Sequence, residues 1–202
     1  MRIKICGLFR DEDIGYVNEA RPDYAGFVFA ESKRQVFPAL AQRLRSRLAN
    51  GIIPVGVFVN APADEITALY HNGIISIAQL HGEEDERYIS RLKEADPIAP
   101  IPVIKVIKSE QLKLGIPATG ADYLLIDSGA GTGQTFNWQQ LNQLKIEKPW
   151  FLAGGVNPDN IEQAMALDPF AIDISSGAET DGIKDREKIL QLVSIVRKGK
   201  IK

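Results

Sequence analysis

Eight short apolar runs, each followed by a longer stretch with helical spacing, predict an α/β fold for this chain. The runs are rich in valine, isoleucine and phenylalanine, and they lie at 3–5, 24–29, 53–59, 75–80, 103–107, 123–126, 150–153 and 171–174. Runs that are apolar throughout are typical of parallel strands, because both faces of such strands are buried. Eight strands alternating with helices favour a single (βα)8 TIM barrel spanning 1–202. An open, doubly wound sheet has the same alternation and stays open as an alternative.

Helix start and stop signals occur between the runs. Pro38 stands at a favourable first helical position, and Asn60 and Asn157 each lie shortly before a proline, as a helix cap would. The last helix is expected from about Asp185, because apolar residues recur after it at helical spacing. The segment 108–122 is interrupted by glycine and proline and leaves little room for a helix. We therefore expect a degenerate fifth helical unit.

Composition and charge place the chain among ordinary globular proteins. It has 202 residues, of which 45% are apolar and 25% charged, and its net charge of -2 argues against nucleic-acid binding through overall charge. The single cysteine excludes an intramolecular disulfide and suits a reducing compartment. The longest apolar stretch, 52–59, is too short to span a bilayer, and the N-terminus lacks a signal-peptide core. We expect a cytoplasmic protein without nucleic-acid or membrane partners.

Two side chains suited to proton transfer end apolar runs. In a (βα)8 barrel the reacting groups lie at the C-terminal ends of the strands. Cys6 follows the first run and precedes Gly7, and Asp127 follows the sixth run. A lone cysteine is most often a small buried hydrophobe, and an acidic residue in a loop is most often solvated. Their positions make Cys6 a candidate reactive thiol and Asp127 a candidate general acid or base.

Two loops of small residues follow the last two runs. Gly154 and Gly155 come after the seventh run, and Ser175, Ser176 and Gly177 come after the eighth. Loops at these two positions form the usual phosphate site of (βα)8 barrels, where backbone amides bind the dianion. Either loop alone is equally typical of an ordinary turn. Because they occur in consecutive units, together they predict a phosphate site.

Other polar residues follow strands on the same side of the barrel. Arg34 follows the second run and is placed to hold a carboxylate through two parallel hydrogen bonds. His81 follows the fourth run, where it lines the pocket or has a capping or packing role. The glycine-rich segment 129–133 is of the kind that closes over a substrate, and its spacing is that of neither a P-loop nor a dinucleotide fingerprint. No residues show metal-ligand spacing, so we expect no metal.

Taken together, these segments resemble the phosphoribosylanthranilate isomerase family of tryptophan biosynthesis. The opening Lys4-Ile5-Cys6-Gly7 is similar to the KICG start of that family. Further similar segments follow in order at 26–29, 32–34, 55–60, 79–82, 125–128, 131–136, 153–156 and 173–177. No single segment is decisive, but the set is specific and spans essentially the whole chain.

The resemblance implies a cofactor-free acid/base Amadori rearrangement. N-(5-phosphoribosyl)anthranilate would become 1-(2-carboxyphenylamino)-1-deoxyribulose 5-phosphate, so the implied partner is a small phosphosugar-anthranilate. The family's general base falls on Cys6, its general acid on Asp127 and its active-site arginine on Arg34, with phosphate binding at 154–155 and 175–177. Lys4, on the same strand face as Cys6, is expected to favour the thiolate. The sequence does not decide between a monomer and a homodimer.

Two other functions stay open at this stage. A different phosphosugar barrel would carry a lysine or a metal site at its strand ends, and Lys105 is the residue that fits the first description. A barrel that binds a phosphosugar and regulates without turnover is the second alternative.

Overall fold

Eight parallel strands close into a barrel in chain order. The computed structural model describes residues 1–127, 138, 141 and 144–199. The barrel strands are β1 (Arg2–Cys6), β2 (Tyr24–Val28), β3 (Ile53–Phe58), β4 (Ile77–Leu80), β5 (Val103–Lys108), β6 (Tyr123–Asp127), β7 (Trp150–Ala153) and β8 (Ala171–Ile174). The first strand pairs with both the second and the eighth, which closes the sheet. The predicted (βα)8 barrel is confirmed, and the open sheet is wrong.

Helices follow most of the strands. They are α1 (Asp11–Ala20), α2 (Pro38–Arg47), α3 (Ala63–His71), α4 (Glu86–Glu94), α5 (Ile161–Met165) and α6 (Arg186–Lys198). A 3-10 helix, Ser109–Leu114, follows β5, in keeping with the degenerate fifth unit expected from the sequence. After β8 come a 3-10 turn, Ser176–Ala178, and a short hairpin of β9 (Glu179–Thr180) and β10 (Ile183–Lys184). Within the described ranges, none of the helices has both the length and the apolar character needed to cross a membrane.

The helix boundaries agree only partly with the sequence signals. Pro38 begins α2, and Asp185 caps α6 by accepting a hydrogen bond from a first-turn amide. Asn60 is not a cap: it has a φ of 52° and its side chain accepts an amide hydrogen bond from another loop. Asn157 lies in a turn ahead of Asn160, which is the residue before α5. The glycine-rich segment 129–133 lies outside the described residues.

Apolar side chains fill the barrel interior and close its N-terminal end. The ring of Phe151 is fully buried, with centroids 5.4 Å from Tyr24, 5.8 Å from Tyr123 and 5.8 Å from Phe170. Tyr24 and Tyr123 begin their strands, and Phe170 immediately precedes β8, so this aromatic cluster lies at the start of the strands. The opposite, C-terminal end of the barrel is therefore where side chains can surround a cavity.

The aromatic cluster predicts a strong effect of Phe151→Ala on stability. Removing a fully buried phenylalanine should lower the free energy of unfolding by about 3–5 kcal/mol, since contacts are lost and a cavity is left. Urea unfolding followed by circular dichroism measures this change. Phe37, which is 68% exposed, provides the matched control. Phe37→Ala should stay within about 0.5 kcal/mol of wild type, and equal losses for the two variants would contradict the proposed packing role.

Candidate active site

A cavity of about 470 Å³ opens at the C-terminal end of the barrel. It brings together most of the residues singled out in the sequence, namely Cys6, Arg34, His81, Asp127, Gly154, Gly155, Ser175 and Ser176. Gly177 instead lines a neighbouring cavity of about 540 Å³, which shares Gly155 and Ser176 with the first. Among the described residues, no group of three or more histidine, cysteine or acidic side chains is placed to hold a metal ion.

Cys6 ends β1 with its thiol almost fully buried. Burial raises the pKa of the Cys6 thiol. The ammonium groups of Lys4 and Lys184 act in the opposite direction, and the carboxylate of Asp173 adds to the increase. Lys4 therefore favours the thiolate as the sequence predicts, but burial outweighs it. The pKa of the Cys6 thiol therefore lies above its ordinary value.

Lys4 and Asp173 form an ion pair beneath the cavity. The ammonium Nζ of Lys4 lies 2.9 and 3.0 Å from the two carboxylate oxygens of Asp173, and Lys4 is completely buried. Burial alone would lower the pKa of Lys4, but Asp173 and Cys6 raise it above its ordinary value. Lys4 therefore keeps its charge. Asp173 also lines the cavity, a position that the sequence analysis missed.

Arg34 is held by a carboxylate that the sequence analysis also missed. Its Nε and Nη2 each donate to an oxygen of Glu179 at 2.6 Å. Glu179 accepts a further hydrogen bond from Lys184. Burial alone would raise the pKa of Glu179, but these two cations hold it below its usual value. The Arg34 side chain packs directly against the backbone of Gly7. A Cβ at this position would lie only 2.4 Å from Arg34 Cδ, so glycine permits the close contact.

Asp127 ends β6 with its carboxylate facing His81. The Nε2 atom of His81 lies 3.4 Å from Oδ2 of Asp127. Both side chains are partly exposed to the cavity, so a ligand there can reach them. Ser128, which follows Asp127 in the sequence, lies outside the described residues.

The loop that carries His81 is fixed by a buried carboxylate. Glu84 accepts the backbone amides of Asn60 and Gly82 at 2.7 and 2.9 Å. The ammonium of Lys105 lies 3.2 Å from Glu84 and donates to the Gly82 carbonyl at 2.9 Å. Lys105 therefore helps to hold this loop in place through its contacts with Gly82 and Glu84.

The two small-residue loops pack backbone against backbone. A Cβ at Gly177 would lie 1.9 Å from the carbonyl oxygen of Val156, so only glycine permits this contact. The hydroxyl of Ser175 donates to the carbonyl of Cys6 at 3.3 Å, which links the second loop to β1. Lys188 of α6 lines the neighbouring cavity together with Gly177. A cation beside loops of small residues favours the binding of an anion there.

A thiol, a carboxylate and an arginine share one barrel mouth with two loops suited to phosphate. This combination defines the class of barrel enzymes that convert phosphosugars by proton transfer. Residues 3–195 match the family model described as N-(5'phosphoribosyl)anthranilate (PRA) isomerase. The chain belongs to this family.

Individual relatives agree with this assignment. The N-(5'-phosphoribosyl)anthranilate isomerase of Endomicrobium trichonymphae is 46% identical, covering 97% of this chain and 98% of the relative. That of Clostridium acetobutylicum is 43% identical, covering 99% and 100%. Among solved structures, TrpF from Jonesia denitrificans has a TM-score of 0.86 at 31% identity, covering 100% of this chain and 98% of that one. A phosphoribosyl anthranilate isomerase in complex with reduced 1-(o-carboxyphenylamino)-1-deoxyribulose 5-phosphate has a TM-score of 0.79 at 30% identity, covering 98% and 99%.

The charges around Cys6 predict opposite effects of two variants on its reactivity. Lys4→Met removes a group that lowers the pKa of the thiol, so the pH profile of iodoacetamide alkylation should move to higher pH. Asp173→Asn removes a group that raises this pKa, so the profile should move to lower pH. Melting temperatures control for unfolding. Shifts of both variants in the same direction would contradict the electrostatic account.

Proposed function

We propose that this chain, as one catalytic domain over 1–202, isomerises N-(5'-phosphoribosyl)anthranilate to 1-(2-carboxyphenylamino)-1-deoxyribulose 5-phosphate in tryptophan biosynthesis. One observation carries the proposal. Cys6 and Asp127 end two strands that are not neighbours, yet both face a single cavity beside the two small-residue loops. The product analogue bound by a related structure supports the same substrate class. The cytoplasm is the proposed compartment, with neither nucleic acid nor membrane as a partner.

Asp127 is the proposed general acid. Opening the ribose ring requires a proton on the ring oxygen while the bond from this oxygen to C1′ breaks. The anthranilate nitrogen then shares its lone pair with C1′, and a cationic Schiff base forms. Asp127 must hold a proton when substrate binds. Its partly exposed carboxylate lies at the cavity, where it can deliver that proton to the substrate.

Cys6 is the proposed general base. The cationic Schiff base acidifies the hydrogen on C2′, and a thiolate at Cys6 removes that proton to give an enolamine. Tautomerisation of the enolamine then adds a proton at C1′ and removes the proton of the C2′ hydroxyl, which leaves the ketone at C2′. The reaction oxidises C2′ and reduces C1′ within one molecule, so it needs no external oxidant or cofactor.

The protonation states of Cys6 and Asp127 are linked in the proposed reaction. Burial favours the neutral thiol of Cys6 in the free protein, whereas the reaction requires a thiolate and a protonated Asp127. Moving one proton between the two groups interconverts these states. The positive charge of the Schiff base favours the thiolate, and Lys4 stabilises it from below. The reactive state is thus formed in response to the substrate.

Substrate anchoring is assigned to Arg34 and to the two small-residue loops. Arg34 would meet the anthranilate carboxylate, and the loops with Gly154, Gly155, Ser175, Ser176 and Gly177 would bind the phosphate through backbone amides. His81 would contact the substrate beside Asp127.

A turnover assay decides between this function and its alternatives. The fluorescence of anthranilate substrate should decay on addition of the protein. A barrel enzyme that acts through a lysine would need Lys105. The ammonium of Lys105 instead donates to the Gly82 carbonyl and pairs with Glu84, which disfavours this alternative. Phosphosugar binding without fluorescence decay would instead favour a regulatory protein.

The proton-transfer assignment predicts large, specific losses in two variants. Cys6→Ser leaves an alcohol, a much weaker base, and Asp127→Asn removes the acidic proton. Each should lower kcat by at least about a hundredfold, the lower end of what such catalysis contributes. Both should still bind the reduced product analogue, because neither residue is assigned to the phosphate. Near-normal kcat with a lowered melting temperature in Cys6→Ser would show that the cysteine only packs.

The phosphate assignment predicts that Gly155→Asp severely weakens substrate binding, because a carboxylate would approach the phosphate dianion. Inorganic phosphate should inhibit competitively in the millimolar range, on the order of common substrate constants. Gly73→Asp is the control: Gly73 has a φ of 68° against 69° for Gly155, so the backbone strain is matched. If the two variants raise KM equally, the loop does not bind phosphate.

A further inference from the structure

Glu179 is a buried carboxylate that the proposed chemistry does not use directly. Its side chain is 4% exposed and lies on β9, just beyond the second small-residue loop. It accepts hydrogen bonds from Arg34 Nε, Arg34 Nη2 and Lys184 Nζ. Two of these come from one guanidinium edge, in the bidentate geometry that fixes an arginine most firmly.

Within the two ion-pair groups beside the cavity, cations outnumber anions by one, while Glu31 and Asp127 line the cavity outside these groups. Lys4 and Asp173 neutralise each other, whereas Glu179 is shared by Arg34 and Lys184. Lys184 has a fully buried side chain, but Arg34 is 28% exposed and lines the cavity. The surplus positive charge is therefore available to a ligand at Arg34.

The hydrogen bonds from Arg34 to Glu179 also determine which guanidinium donors remain available to a ligand. Nε and one donor of Nη2 point to Glu179. Within the described part of the chain, Nη1 makes no hydrogen bond. Since a guanidinium is planar, fixing one edge also fixes the direction of the remaining donors.

We propose that Glu179 is a positioning residue that orients Arg34 for recognition of the aromatic carboxylate of the substrate. This inference rests on the proposed function, which supplies a substrate with that carboxylate. Arginine side chains lose considerable rotamer freedom when they are fixed. Glu179 imposes this ordering before substrate arrives, so the substrate carboxylate meets a preorganised donor.

A second set of contacts connects this arginine to the proposed phosphate loop. Lys184 Nζ donates to the carbonyl of Ser175 at 3.0 Å as well as to Glu179. Ser175 lies in the proposed phosphate loop, and its hydroxyl donates to the carbonyl of Cys6. Glu179 thereby sets the position of Arg34 relative to both the phosphate loop and the general base.

The test compares two ligands that differ only in the carboxylate. The reduced product analogue and its counterpart without the ring carboxylate are titrated into wild type and Glu179→Gln by calorimetry. The variant should lose about tenfold or more in affinity for the carboxylated ligand, the size expected for hydrogen bonds to charged groups. Affinity for the ligand without the carboxylate should be unchanged, and KM should rise with kcat altered little.

Three outcomes would overturn the proposal. Equal loss of both affinities would mean that Glu179 only supports the loop. Tighter binding of the carboxylated ligand would mean that Glu179 competes with the substrate for Arg34. A further loss of affinity when Glu179→Gln is added to Arg34→Met would mean that Glu179 does not act through Arg34. Glu187→Gln, an exposed position on α6, is the matched control and should leave both affinities and turnover unchanged.

A conservative variant keeps the test decisive if Glu179→Gln fails to fold. Glu179→Asp retains the charge but shortens the reach to Arg34, so it should also lose preference for the carboxylated ligand. If Glu179→Asp keeps the full wild-type preference for the carboxylated ligand, Glu179 does not position Arg34. Failure of the proposed function is recognised separately, because wild type would then show no turnover and would not distinguish the two ligands.

Discussion

The pairing of β1 with β8 is the constraint on which the rest of the structure depends. It closes the barrel and places Lys4 directly in register with Asp173, so the buried ion pair lies across the closing seam. Removing one member of a buried pair leaves an uncompensated charge, which typically costs about 3–5 kcal/mol. The same seam brings Ser175 to the carbonyl of Cys6. The strand pairing that closes the sheet therefore also brings these site residues together.

Two groups of paired charges lie at the site, one neutral and one with a net positive charge. The Lys4–Asp173 pair is buried beneath the cavity, and the group of Arg34, Glu179 and Lys184 borders it. The deeper group is neutral overall, whereas the shallower group carries one positive charge. Because the cost of burying charge grows with depth, this distribution places the surplus where a ligand can neutralise it.

The sequence predicts the strands well because runs that are apolar on both faces are typical of buried parallel strands, whereas closure of the sheet into a barrel is shown by the structure. All eight runs became strands, and the residues at their ends share a cavity. The predicted helix caps at Asn60 and Asn157 were wrong: the Asn60 side chain accepts the amide of Glu83 from another loop, and the Asn157 side chain is used in a local turn ahead of α5. Asp173 did carry a signal, as a charged residue inside an apolar run. Glu179 carried none, because its partner Arg34 is 145 residues away.

The aromatic cluster around Phe151 has a consequence for the movement of protons. It closes the barrel interior at the start of the strands, so in the described part of the chain Cys6 and Asp127, the proposed base and acid, reach solvent through the cavity at the other end. A bound substrate occupies that same route. In the proposed reaction the protons are therefore exchanged only among Cys6, Asp127 and the substrate, and because substrate and product are isomers, one turnover releases no net proton to water.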